Sequence, residues 1–256
     1  MHLILTGATG LVGSGVLDAM IKSKDVTKIS ILSRRPVAMA EAARDPRINV
    51  VINPDFEKYD PAVLSKLKGA TGCVWALGIS QTQVGKEEYI KITKTFAVEA
   101  AKAFQDLAPE EEPFHFVYVS GAGATTAPGR FTSLFGRVKG ETELALAAMM
   151  RNHSQQRFRA LSMRPAGVDG TGHAAIQPYL PTPPLALRVM RPVLLPAIRG
   201  LVPAFHSPTE PLGRFLTELA MGRHGEQLRA EGKGLQMVGE FPILENSVFR
   251  RIAKLD

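Results

Sequence analysis

A single cysteine, Cys73, among 256 residues excludes an internal disulfide and points to a reducing compartment, taken here as the cytoplasm. Its place in an apolar run reads as a buried thiol rather than a nucleophile. No apolar run reaches the roughly 20 residues that span a bilayer. The best stretch, 185–205, is broken by Arg188, Arg191 and Arg199 and by Pro192, Pro196 and Pro203. The opening residues, MHLILT, carry no basic leader segment, so no secretory signal is expected. No zinc-ligand spacing, helix-turn-helix or basic-aromatic RNA pattern accompanies the formal charge of +7. That charge reads as a solvated surface that also favours a polyanionic small molecule, with no nucleic-acid partner expected.

What is present is globular composition: 45% hydrophobic and 21% charged side chains suffice for one large core. Over the first two-thirds, short apolar runs alternate with stretches of helical spacing. Strands are expected at 2–6, 28–32, 49–52, 72–77, 114–120 and 160–164. Leu11, Val12, Val16, Leu17, Met20 and Ile21 mark one helix, and Tyr89, Ile92, Phe96, Ala100 and Phe104 a longer one. A third runs over about 134–150. The alternation implies an α/β fold, a doubly wound parallel sheet with crossover helices. After Arg164 the pattern loosens through Gly167 to Gly172 and Pro178 to Pro184. Helical spacing returns near 185–201, 209–221 and 243–255. Leu194, Leu195, Ile198, Leu201 and Val202 form an apolar stripe there, expected to pack on the sheet or as a lid.

Thr6-Gly7-Ala8-Thr9-Gly10-Leu11-Val12-Gly13 follows the first apolar run and opens the first helical one. That is the strand-turn-helix setting of a Rossmann dinucleotide site. Gly7 permits the tight turn, Gly10 lets the backbone around Thr9, Leu11 and Val12 approach a pyrophosphate, and Gly13 allows close packing of helix on strand. Free N–H groups at the helix start favour the anion. The second strand ends Leu32-Ser33-Arg34-Arg35-Pro36, without the acidic residue that bonds the ribose 2′-hydroxyl of NAD. The Arg34 and Arg35 guanidinium groups and the Ser33 hydroxyl suit a 2′-phosphate, so NADP(H) is the expected cofactor. Asp55 and Phe56 fall on the adenine side, and Ala76-Leu77-Gly78 ends the fourth strand where backbone approaches the cofactor. The expected organisation is one domain over 1–256. Residues 1–168 form the dinucleotide-binding core, and 169–256 a small C-terminal substrate-binding or lid region.

Three further segments are Val119-Ser120-Gly121-Ala122, Val138-Lys139-Gly140-Glu141-Thr142-Glu143 and Arg164-Pro165-Ala166-Gly167. With the glycine turn they resemble the atypical short-chain dehydrogenase/reductase superfamily, near its NmrA-like and nucleoside-diphosphate-sugar-epimerase-like branches. The resemblance covers roughly 1–168, with a looser echo at 207–223. It implies that Lys139 is the active-site lysine and holds the nicotinamide ribose. It implies that Ser120 orients the substrate carbonyl, and that Pro165, Gly167 and Val168 lie beside the nicotinamide. Active members carry a tyrosine four residues before the lysine as acid and base, and here that position is Phe135. Tyr179, in the late loop, is the best candidate replacement. Tyr59 reads as too distant, Tyr118 as too deep, and Tyr89 as suited to the core. His173 and His206 add titratable groups in the same late region.

The expected function is an NADP(H)-dependent oxidoreductase acting on a small organic substrate. Neutralising a developing alkoxide contributes about 10²–10⁴-fold, and Phe135 has no proton to give. An iminium or an activated C=C or C=O is therefore favoured over a plain ketone. Two other readings stay open. One is an NADP(H)-binding regulator or redox sensor that turns over nothing and meets a macromolecular partner through its basic C-terminal half. The other is a non-redox isomerase or cyclase using the same cavity.

Overall fold

Six apolar runs become parallel strands because helices cover them on both faces. In the computed structural model, which describes residues 1–153, 157–180, 202–229 and 232–255, they are β1 (His2–Thr6), β2 (Lys28–Ser33), β3 (Ile48–Ile52), β4 (Gly72–Trp75), β5 (Phe114–Val119) and β6 (Phe158–Arg164). β1 and β4 are buried at every position, as central strands are. Two later strands, β9 (Leu235–Val238) and β10 (Phe241–Glu245), complete a sheet in the order β3-β2-β1-β4-β5-β6-β10-β9. All neighbours are parallel except β9, which is antiparallel to β10 at the edge. Strand order reverses between β1 and β4, which opens a crevice at their carboxyl ends. Register sets Thr6 beside Leu32 and Trp75, and Trp75 beside Tyr118. The turns after β1, β2, β4 and β5 therefore emerge together.

One face is covered by α1 (Leu11–Lys22), α2 (Ala38–Ala43) and α7 (Thr209–Ala220). The other is covered by α3 (Pro61–Leu67), by α4 (Lys86–Ile90) and α5 (Phe96–Phe104), and by α6 (Leu134–Asn152). A π segment, Lys91–Thr95, joins α4 and α5 into the long helix expected from the spacing. α1 and α7 cross closely at Gly15 and Gly213: a Cβ on Gly15 would lie 2.9 Å from the Thr209 carbonyl oxygen, and one on Gly213 would strike the Gly15 carbonyl.

The last third departs from expectation. The helical spacing read over 243–255 splits into β10 and a shorter α9 (Asn246–Ile252), after α8 (Gly225–Arg229). A five-residue apolar run reads alike as strand or helix, and the open edge of β6 decided for a strand. The C-terminal region thus extends the sheet and supplies α7 to its face. Two short strands, β7 (Gly167–Asp169) and β8 (His206–Pro208), pair with each other. The stretch expected to be helical at 185–201, with Leu194, Leu195, Ile198 and Leu201, lies outside the described residues. Among those described, no helix is long and apolar enough to cross a membrane.

Candidate active site

Gly7 leaves β1 with φ +70°, in the left-handed region open to glycine. Its carbonyl accepts the Gly10 N–H at 2.9 Å, and the Gly10 carbonyl accepts the Ser14 N–H at 2.9 Å, which closes the turn and starts α1. A Cβ on Gly7 would collide with the Ala76 carbonyl, and one on Gly13 with that of Gly7. Gly10 caps α1 in an extended conformation without a side-chain bond. The N–H groups of Leu11, Val12 and Gly13 thus have no intrahelical acceptor and can take an anion. Thr9 is half-buried in the turn. Bare backbone donors, with glycines where a Cβ cannot fit, suit a dinucleotide pyrophosphate.

Around this turn the other expected cofactor residues sort themselves. Ser33 is half-buried at the end of β2, its hydroxyl accepting the Arg35 N–H at 3.3 Å, while Arg34 and Arg35 are exposed. Asp55 shapes its own turn, with Oδ1 accepting the Glu57 N–H at 2.9 Å. Phe56 is buried edge-on against Trp75, ring centroids 5.8 Å apart, so its side chain belongs to the core and is not free to meet an adenine. That corrects the expectation for Phe56. Ala76 and Leu77 are half-buried, and Gly78 is exposed with open space around it.

At the end of β5, Ser120 is buried, and its hydroxyl has no hydrogen-bond partner among the described residues. An unmade bond of this kind costs about 1–3 kcal/mol, so the position suits a ligand. Lys139 lies on α6 beneath it, with Nζ donating to the carbonyls of Val119 at 2.9 Å and Ser120 at 3.2 Å. The ammonium also lies 5.2 Å from the Tyr118 ring and 6.0 Å from the Phe135 ring. Burial lowers its pKa to about 8, opposed by the negative charge of Glu143. Phe135, one helical turn earlier, lays its ring tip on Gly121, where a Cβ would stand 2.8 Å from Cζ. Ser120, Phe135 and Lys139 are therefore brought together.

Two neighbours tie this group down. The Phe135 N–H donates to Gln81 Oε1 at 3.0 Å, which joins the loop after β4 to the start of α6. Gln81 belongs to no motif, and nothing in the sequence singled it out. The Ala122 N–H donates to the Pro165 carbonyl at 2.8 Å, setting the turn after β6 beside the end of β5. Gly167 and Val168 follow, half-buried. At the root of that turn Arg164 pairs with Glu143, both buried, through Nη2–Oε2 at 2.5 Å and Nε–Oε1 at 2.9 Å.

The expected replacements for the tyrosine are placed elsewhere. Tyr179 is partly buried on the α1 and α2 side of the sheet, and among the described residues no hydrogen bond joins it to Ser120 or Lys139. Tyr118 is buried, donates to the Thr93 carbonyl at 3.3 Å, and has its pKa pushed well up by burial. Tyr59 stands edge-on to Phe104, ring centroids 5.1 Å apart, and Tyr89 is buried in α4. His173 is a clamp rather than a solvated loop residue. Its Nδ1 meets Thr209 Oγ1 at 3.0 Å and its Nε2 meets Asp18 Oδ2 at 3.0 Å. His206 pairs with Asp169 at 2.9 Å. Asp18, His173 and Glu210 bring metal-capable atoms together, but the Lys22 ammonium already bridges the two carboxylates at 2.7 and 3.4 Å. A groove of about 550 Å³ between α1 and α7 lies along the flank of these helices, lined by paired charges such as Arg223 and Asp25.

No family model matches the chain. Botcinic acid biosynthesis cluster B protein 16 of Botryotinia fuckeliana (strain B05.10) is 48% identical over 160 residues, 62% of this chain and 99% of that protein. Leucinostatins biosynthesis cluster protein T of Purpureocillium lilacinum is 33% identical over 259 residues, covering 94% of this chain and 90% of its own. Protein fmp52, mitochondrial, of Emericella nidulans (strain FGSC A4 / ATCC 38163 / CBS 112.46 / NRRL 194 / M139) is 27% identical over 149 residues, 58% of this chain and 61% of its own. Among solved structures, an oxidoreductase of the short-chain dehydrogenase/reductase family from Burkholderia thailandensis superposes with TM-score 0.65 at 13% identity, covering 99% of this chain and 96% of that one. The Bordetella bronchiseptica enzyme WbmF, in complex with NAD+ and UDP, superposes with TM-score 0.60 at 13% identity, covering 86% and 68%.

Proposed function

We propose that this chain, which belongs to one family with leucinostatins biosynthesis cluster protein T of Purpureocillium lilacinum and shares its fold with short-chain dehydrogenase/reductase structures, is an NADP(H)-dependent reductase of a small organic substrate in a biosynthetic pathway. The observation that carries this reading is the buried, unpartnered Ser120 hydroxyl beside Lys139, next to a glycine turn shaped for a pyrophosphate. The first-turn N–H groups of α1 would hold the pyrophosphate, and Arg34 and Arg35 would neutralise a 2′-phosphate. The nicotinamide supplies a hydride when bound.

The protein's own part is to bind, to orient and to limit proton supply. Ser120 offers its O–H to a polar atom of the substrate. Lys139 brings positive charge within the same buried spot, and Phe135 closes it with an apolar ring where an acid would otherwise stand. The missing acid at Phe135, rather than the Lys139 charge, favours an iminium substrate, whose reduction by a bound nicotinamide would give a neutral amine and leave no alkoxide to protonate. Activated C=C or C=O acceptors rank next.

Titration of the purified chain with NADPH and NADH, followed by an iminium and carbonyl panel watched by loss of reduced-nicotinamide absorbance, tests the reading. NADPH oxidation on iminium compounds, outpacing plain ketones, supports it. Brisk turnover of plain ketones refutes the substrate assignment, and absence of binding refutes the whole. Phe135 favours one second reading, a cofactor-binding regulator, for which tight NADPH binding with no turnover on any substrate is the signature. Fluorescent tagging of the full chain separates the cytosol, expected from lone Cys73, from the mitochondrion named for the fmp52 relatives.

A further inference from the structure

Among the described residues Lys139 hydrogen-bonds to carbonyls and to no carboxylate, so its charge depends on what else lies near. Glu143 follows it by one turn on the same face of α6. The Glu143 carboxylate is fully buried and fully engaged, with Oε1 accepting from Ser162 Oγ at 2.8 Å and Arg164 Nε at 2.9 Å, and Oε2 accepting from Arg164 Nη2 at 2.5 Å. Arg164 immediately precedes Pro165, whose carbonyl receives the Ala122 N–H. It also reaches Glu245 on β10 at 2.7 Å.

We infer that Glu143 is a positioning residue of this site, acting through Lys139 on its own helix and through Arg164 at the root of the Pro165–Gly167 turn. The inference rests on the reductase reading for its purpose, but its physical content does not. The bidentate pair sets the height and rotation of α6 against β6, and with them Lys139 against the turn. The same carboxylate is the anion that offsets the desolvation of the Lys139 ammonium. The other groups around that ammonium are the Tyr118 ring from β5 and the Phe135 ring from α6. Tyr89 stands behind Tyr118, and Arg164 and Glu245 stand behind Glu143. Lys94 and Glu141 pair on the outer, partly exposed side. Among these, Glu143 alone opposes the effect of burial on Lys139.

The test is a pH titration of the full chain labelled with ¹³Cε-lysine, followed by heteronuclear NMR without cofactor, the Lys139 signal being assigned by its loss in Lys139→Met. The wild type is expected to titrate near pH 8. Glu143→Gln moves that midpoint to lower pH by roughly one unit, and Glu143→Asp, which keeps the charge, restores it. A merely structural glutamate would leave the midpoint where it was, and that result overturns the inference. If Glu143→Gln does not fold, the double variant Glu143→Gln/Arg164→Gln leaves neither partner as an unpaired buried ion. It must show an acid shift too, and an unchanged midpoint there is equally fatal. A wild-type chain that binds no NADPH removes the reductase reading, yet the lysine titration still judges Glu143.

Discussion

Replacing Arg34 and Arg35 together by alanine removes two exposed guanidinium groups that make no ion pair among the described residues. Surface changes of this kind move stability by less than about 0.5 kcal/mol, so binding can be read without a folding artefact. A hydrogen bond to a charged group contributes about 1.5–3 kcal/mol. Both arginines face solvent and would share one phosphate, so about 2 kcal/mol for the pair is the working figure rather than the sum. At 1.4 kcal/mol per tenfold, that is a roughly 30-fold loss of NADPH affinity. NADH, which ends in a ribose hydroxyl, should lose about twofold or less. Calorimetric titration of both dinucleotides against wild type and the double variant measures the ratio. Repeating it at higher salt should narrow the gap, because the contact is exposed. Equal losses for NADPH and NADH, or no loss for either, refute the assignment of Arg34 and Arg35 to the 2′-phosphate.

Other outcomes follow from the same geometry. Phe135→Tyr places a phenol on the helix turn before Lys139 and should raise kcat/KM for plain ketones by about 10²-fold or more with little change in NADPH affinity; an unchanged ketone rate speaks against this placement. His173→Ala strips partners from Asp18 and Thr209 and should cost roughly 1–3 kcal/mol, seen as a lower Tm with NADPH affinity intact. A variant as stable as wild type would disprove the clamp. His2, buried against Ser30 at 2.8 Å, has its pKa lowered to about 4 from 6.5, first by burial and then by Lys28. The fold therefore favours the neutral ring. That contribution is complete above pH 6.5 and fades as pH falls towards 4. Denaturation midpoints should drop over that window, and His2→Gln should flatten the drop; an equally steep fall in the variant removes the attribution to His2.

Much of the site was legible because its signals are local. The run from Thr6 to Gly13 encodes strand, turn and helix within eight residues, and steric rules alone demand glycine at 7 and 13. Phe135 and Lys139 share a helix face by spacing, and β1 to β6 are apolar runs bounded by breakers. Pairings across the chain were not legible, since nothing in a residue's neighbours in sequence states its neighbours in space. The Glu143–Arg164 pair joins positions 21 apart, and His173 meets Asp18 across 155. Phe56 lost its expected place at the adenine because an aromatic beside Trp75 gains more from burial than from exposure. The packing of Tyr179 beside α1 and α2 was likewise not legible, since it depends on where its whole segment docks. The amino-acid order by itself determined the elements, the glycine turn and the absence of a phenol at 135. Only tertiary packing decided that 241–245 would be a strand, and which buried charge stands behind Lys139, because register and burial are settled by the whole sheet at once.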